Sequence, residues 1–192
     1  MTTIVAVKKA GMVAIASESL TTFGDTRLAA AYKGEHDKIL HVGESYIGIC
    51  GSSAHHLVLA SALAKIEDVH LGSRMEVFET FRRLHPILKE HAYLNPKEDE
   101  DDPYESSQIT ALIINASGIY GVYSYREVFD YDRFWAVGSG RNFALGAMYA
   151  AYERCKSAKE IAEIGVEAGI EFDTASSGPI VVHTIKLARE KK

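Results

Sequence analysis

Residues 12–17, Met-Val-Ala-Ile-Ala-Ser, are small or apolar on both of their alternating faces. A strand of that kind belongs in a sheet covered on both sides, because a sheet with one wet face alternates apolar with polar residues. Val5 and Val7 precede Ala10-Gly11, and Val13 and Ile15 follow it, so the two runs read as a β-hairpin at the start of the chain. With a two-residue turn Glu18 falls opposite Thr3; with a three-residue loop and a bulge it falls opposite Thr2. Either register puts a carboxylate beside the chain start.

The remaining pattern supplies the layers that such a sheet needs. Strands continue to Cys50, with a further turn at Gly43-Glu44. Helices are expected over 53–71 and 74–93, a second hairpin over 109–115 and 119–124, helices over 141–154 and 158–170, and a closing strand over 179–187. Ser73-Arg74-Met75-Glu76 and Ser157-Ala158-Lys159-Glu160 are capping boxes, in which the serine accepts from a free backbone N–H and the glutamate reaches back. Strands, two helices, strands, two helices and a strand predict an α+β, four-layer αββα sandwich. A length of 192 residues with 47% hydrophobic content, no repeat and no Gly/Ser linker predicts one domain over 1–192.

Charge and composition exclude several functions. A net charge of −5 without a basic stripe argues against a nucleic-acid surface. No apolar run approaches the roughly 20 residues that a membrane span needs, and no signal segment opens the chain, so a cytoplasmic protein is expected. Cys50 and Cys155 are the only cysteines and show no CxxC spacing, which leaves them as small buried hydrophobes. His55 and His56 are adjacent, so they point apart on a helix; solvated or core histidines are expected there, and no metal or other cofactor is. The run Lys97-Glu98-Asp99-Glu100-Asp101-Asp102-Pro103 is too charged to pack and reads as a solvated insertion, with an acidic docking or cavity-lining loop as the functional alternative.

The chemistry begins at Thr2. Removal of Met1, usual before a small residue, would put a nucleophilic hydroxyl and a free amine on one residue. The amine, with an ordinary pKa of about 7.7–8.0, can accept the hydroxyl proton near neutral pH. Taken singly, Thr2 and Glu18 also fit an exposed terminus and a solvated strand end.

Thr2-Thr3-Ile4-Val5, then Ile15-Ala16-Ser17-Glu18 and Thr22-Phe23-Gly24, resembles the opening of proteasome β-type subunits, and most resembles the bacterial peptidase HslV. Lys38-Ile39, the stretch from Ile47 to Ala54, Ala136-Val137-Gly138-Ser139-Gly140 before Ala144, and Asp173-Thr174-Ala175-Ser176-Ser177-Gly178 follow in the family's order. The resemblance spans nearly the whole chain and implies the N-terminal nucleophile hydrolase fold. It implies Lys38 as the lysine that lowers the pKa of the Thr2 groups, with Lys33 as the competing choice. Glu18 would hold that lysine, in a position where the family has aspartate. The Gly51 N–H would face the oxyanion, and Ser139, Asp173 and Ser176 would orient the threonine. Substrate would lie as an added strand beside Thr22 and Ser53, with Ile49 at the floor of an apolar pocket. The bland readings are a surface lysine, a turn glycine and, for Ser139, a helix cap.

The resemblance further implies a threonine-type endopeptidase enclosed in a homo-oligomeric ring, with stacked rings, polypeptide substrates and a separate ATPase unfoldase as partner. A proteolytically silent ring, suggested by Glu18, and an N-terminal nucleophile amidase for a small molecule remain beside it.

Overall fold

The opening hairpin is β1 (Thr3–Lys9) with β2 (Met12–Ser17). Its turn residues Ala10 and Gly11 have φ of 51° and 73°. Two left-handed residues give a tight turn whose twist matches the strands it joins. The register runs from Ile4 opposite Ser17 to Lys9 opposite Met12. Beyond it the Glu18 N–H donates to the Thr3 carbonyl at 3.3 Å, so Glu18 lies opposite Thr3, as the two-residue turn requires.

The computed structural model describes residues 2–96 and 101–188. After the hairpin come β3 (Thr21–Phe23), β4 (Thr26–Leu28), β5 (Ile39–Val42), β6 (Ser45–Cys50), α1 (Ala54–Leu63) and α2 (Arg74–His91). They are followed by β7 (Thr110–Asn115), β8 (Gly118–Val122), β9 (Val128–Tyr131), β10 (Phe134–Gly138), α3 (Arg141–Ala151), α4 (Ala158–Phe172) and β11 (Val181–Lys186). One antiparallel sheet has the order β10-β1-β2-β11, a second the order β5-β6-β7-β8-β9, and β3 with β4 forms a small ribbon.

Three apolar cores separate four layers. Ile4, Ala6, Val13 and Ile15 of the first sheet meet Ile39, Leu112 and Ile114 of the second. On the opposite face of β1 and β2, Val5, Val7, Ala14 and Ala16 pack on Met148, Ile161 and Val166 of α3 and α4. Ile47 and Ile113 turn the other way, toward Leu59, Phe81 and Leu84 of α1 and α2. This is the expected αββα sandwich. Gly48 lets the sheets approach: a Cβ there would lie 2.7 Å from Ile4 Cγ2.

Both capping serines accept as predicted, Ser73 from Glu76 N at 3.3 Å and Ser157 from Glu160 N at 3.4 Å. The first helix is shorter than expected, ending at Leu63 instead of 71. Its continuation turns away at Asp68, which has φ of 54°, and α2 binds the irregular segment through Thr80 to the His70 carbonyl and Arg83 to the Glu67 carbonyl. The helices expected to end at 93 and 154 stop at His91 and Ala151. The acidic run is in part outside the described residues, at 97–100. Its later part is anchored instead of free: Tyr125 donates to Asp102 at 2.7 Å, and Glu105, just beyond, binds His85 and Lys89. Cys50 and Cys155 are partly buried, short of full enclosure. Among the described residues no helix is long and apolar enough to cross a membrane.

Candidate active site

Thr2 immediately precedes β1 and is buried, as are Thr3 and Glu18. Lys38 immediately precedes β5, and its carbonyl accepts from Ile49 N at 3.4 Å, extending the β5–β6 ladder by one bond. This brings the lysine from the second sheet across to the first. Its Nζ donates to Thr2 Oγ1 at 3.1 Å, to the Leu20 carbonyl at 2.6 Å and to Glu18 Oε1. Glu18 Oε2 accepts from Leu20 N at 2.7 Å and Ser177 N at 3.2 Å. One oxygen of Glu18 thus meets the ammonium while the other binds two backbone amides.

Lys33 is the lysine that stays away from Thr2. It donates to the Ser19 carbonyl at 2.7 Å and to Thr21 Oγ1 at 3.1 Å. Burial, then the like charge of Lys38, lowers its pKa, against a smaller opposing effect of Glu18.

The other side of the terminus is a hydroxyl and carboxylate network. The Thr2 N–H donates to Ser139 Oγ at 3.2 Å, and Ser139 Oγ donates to Asp173 Oδ2 at 2.7 Å. Ser176 Oγ also donates to Asp173 Oδ2 at 2.7 Å, and lies 2.8 Å from Thr3 Oγ1. Asp173 is available because α4 ends there, its N–H closing on the Gly169 carbonyl at 2.9 Å. Ser139 does not cap α3, whose N-cap is Gly140 and carries no side-chain bond.

In front of Thr2 lies a cavity of about 510 Å³ lined by Thr2, Lys38, Thr22, Ile49, Gly51 and Ser53 among others. Its wall is mixed: Leu20 and Leu57 share it with Glu35, His36, Asp37 and His56, so it is more polar than Ile49 alone suggests. Gly51 has φ of +126°, a conformation that a side chain rarely takes, and a Cβ there would lie 3.1 Å from His55 Cδ2. Burial lowers the His55 pKa and pushes the neighbouring Cys50 thiol up to about 11. His56 Nε2 is buried on α1 without a hydrogen-bond partner among the described residues. Among the described residues no three His, Cys, Asp or Glu side chains are grouped to hold a metal ion.

All ten residues singled out in the sequence thus lie around one terminus. Thr2 and Lys38 are in direct contact, as are Lys38 and Glu18, and Ser139, Asp173 and Ser176 form one chain of bonds. Thr22, Ile49, Gly51 and Ser53 line the cavity in front of Thr2. Sequence reasoning missed the socket that holds the terminus. A Cβ on Gly138 would lie 1.9 Å from the Thr2 carbonyl oxygen, and one on Gly140 or Gly169 would lie 2.0 or 2.5 Å from Thr3 Oγ1. Two glycines inside α4, Gly165 and Gly169, were the available signal, since glycine weakens a helix interior unless something must come close.

The family model for the proteasome subunit matches residues 1–185. BPH of Thiobacillus denitrificans, a bacterial proteasome homologue, is similar in structure, with a TM-score of 0.90 and 39% identity over 98% of this chain and 100% of that one. The same protein in complex with epoxomicin gives a TM-score of 0.89 and 38% identity over 97% and 99%. HslV from Trypanosoma brucei shares the fold, with a TM-score of 0.67 and 20% identity over 96% of this chain and 99% of that one. The fold is of the N-terminal nucleophile hydrolase type, and the chain belongs to the proteasome subunit family.

Proposed function

We propose that this chain, a member of a family of threonine-type proteases, is an N-terminal threonine peptidase that cleaves polypeptides inside a homo-oligomeric ring. The observation that carries the reading is the contact of Lys38 Nζ with Thr2 Oγ1 at 3.1 Å, at the wall of a cavity large enough for a side chain.

With Met1 removed, the Thr2 nitrogen becomes an amine within reach of its own hydroxyl. The amine takes the hydroxyl proton as Oγ1 attacks the peptide carbonyl. Lys38, held in place by Glu18, stabilises the negative charge forming on Oγ1. The carbonyl oxygen, becoming an oxyanion, is met by the Gly51 N–H. The peptide C–N bond breaks, the leaving amine takes the proton, and an ester on Thr2 remains. Water, deprotonated by the Thr2 amine, hydrolyses that ester and restores the enzyme. Ser139, Asp173 and Ser176 hold the amine in place throughout. Substrate adds as a strand beside Thr22 and Ser53, its side chain before the scissile bond entering over Ile49.

A nucleophile of this kind open to solvent would cut folded neighbours, which is the argument for enclosure in a ring or stacked rings, for a separate ATPase that feeds it and for a cytoplasmic setting. Residues 1–192 act as one subunit domain in this reading.

The test is the intact mass before and after incubation with epoxomicin, the ligand of the T. denitrificans relative. Its epoxyketone reacts with a hydroxyl and a free amine on the same terminal threonine. Loss of the Met1 mass and gain of one adduct per chain, absent in Thr2→Ala, is the expected result. Retention of Met1 removes the base and overturns the mechanism. A trimmed chain that takes no adduct favours a silent ring, and an adduct without peptide cleavage favours a small-amide substrate.

A further inference from the structure

We propose that Thr3 is a positioning residue for the Thr2 amine, an inference that rests on the N-terminal threonine reading above. Thr3 has no exposed surface, and Gly140 and Gly169 leave room for it: a Cβ on Gly140 would lie 2.0 Å from its Oγ1, and one on Gly169 2.5 Å from its Oγ1 and 2.6 Å from its Cγ2. A socket of two glycines fixes the side chain so that Oγ1 lies 2.8 Å from Ser176 Oγ.

The direction of the bonds follows from counting protons. A carboxylate only accepts, so Ser176 gives its single hydroxyl proton to Asp173 Oδ2 at 2.7 Å, and Ser139 does the same at 2.7 Å in preference to the neutral Thr2 carbonyl at 3.4 Å. Ser176 then has only lone pairs for Thr3, and Thr3 is the donor. Ser139 likewise has only lone pairs for the Thr2 N–H. The two threonines therefore feed the same carboxylate oxygen from opposite ends, each through one serine. Hydrogen bonds in such chains polarise one another. A donor on Ser176 strengthens its bond to Asp173, and that lowers the demand of Asp173 on Ser139. Without the Thr3 hydroxyl, Ser176 donates more weakly and Asp173 polarises Ser139 more strongly. Ser139 becomes a better acceptor for an ammonium, so the amine holds its proton to higher pH and fewer molecules have the base free. Lys38, Glu18 and Lys33, with Glu35, His36, Asp37 and His56 on the cavity wall, Cys50 at the end of β6 and Arg141 at the start of α3 are ionisable groups around the terminus, and the variants below leave all of them in place.

The test uses the full chain with Met1 removed by methionine aminopeptidase, as wild type, Thr3→Val and Thr3→Ser. Valine keeps the branched shape and deletes the donor; serine keeps the donor and deletes the methyl. The Thr2 amine is titrated by NMR in protein labelled with ¹⁵N-threonine, and kcat and KM are followed against pH with a fluorogenic peptide. Thr3→Val is expected to raise the amine midpoint, move the acid limb of kcat/KM the same way and lower kcat about tenfold with KM within about twofold. Thr3→Ser is expected to follow the wild type in all of these. An unshifted amine in Thr3→Val, or equal changes in the serine and valine variants, would overturn the proposal in favour of packing alone. A shifted amine in a protein that cleaves nothing would uphold the positioning role and count against the peptidase reading instead.

Discussion

Glu18 has no exposed surface and three donors: Lys38 Nζ on one oxygen, Leu20 N and Ser177 N on the other. Glu18→Gln removes the charge opposite an ammonium that is itself largely buried, so stability should fall by about 3 kcal/mol in urea titration. Epoxomicin adduct formation should slow with it. Glu18→Asp keeps the charge but cannot span Lys38 and both amides, so it should be destabilised by about 1–2 kcal/mol and gain no adduct rate. A faster adduct in Glu18→Asp would mean that glutamate impairs the site. The nearness of Glu18 to the chain start was legible in the hairpin register, while Lys38 was singled out through the family resemblance. Leu20 and Ser177 were not legible, because their contribution is a backbone carbonyl or amide, which any residue carries.

Helix α4 carries the terminus on its inner face, and its two interior glycines do different work. At Gly169 a Cβ would meet the Thr3 side chain at 2.5, 2.6 and 2.9 Å, in a socket with no slack. At Gly165 it would meet Met148 Cγ at 2.8 Å and Sδ at 3.1 Å and Val5 Cγ1 at 3.4 Å, the middle of a flexible but fully buried side chain and the tip of a strand residue. Gly165→Ala should therefore cost about 1–2 kcal/mol, repacking of the buried Met148 being partly offset by the better helix propensity of alanine, and should leave the epoxomicin adduct unchanged because Thr3 is not displaced. Gly169→Ala should cost about 1–3 kcal/mol and suppress the epoxomicin adduct, by displacing Thr3. Thermal melts and adduct mass on the two variants separate them, and equal outcomes would count against the socket. At this scale the capping serines fixed two helix starts from sequence. The end of α1 was not readable, since Leu57, Val58, Leu59, Ala60, Ala62 and Leu63 make the helix apolar around most of its circumference and no periodicity marks where it stops.

The site joins the two sheets. Thr2 immediately precedes β1 and Glu18 immediately follows β2 of the first sheet, while Lys38 enters from just before β5 of the second. The layer order was legible because β1 and β2 are apolar on both faces. The crossing of Lys38 over the gap was not, because it depends on how closely the sheets approach, which Gly48 sets by tertiary contact with Ile4 and Ile15. If sheet-to-sheet packing holds the lysine in place, core truncations of equal cost should differ in their effect on chemistry. Ile39, next to Lys38, is in the inter-sheet core, and Leu84 is in the core between the second sheet and α1 with α2. Ile39→Ala and Leu84→Ala should each cost about 2–5 kcal/mol. At a temperature where both variants remain folded, Ile39→Ala should also slow epoxomicin adduct formation about tenfold or more, because a displacement near 1 Å is enough to break an aligned nucleophile. Leu84→Ala should react within about twofold of the wild type, a gap well above the error of a rate measurement. Equal slowing in both would mean that global stability, and not the spacing of the sheets, sets the Lys38–Thr2 contact.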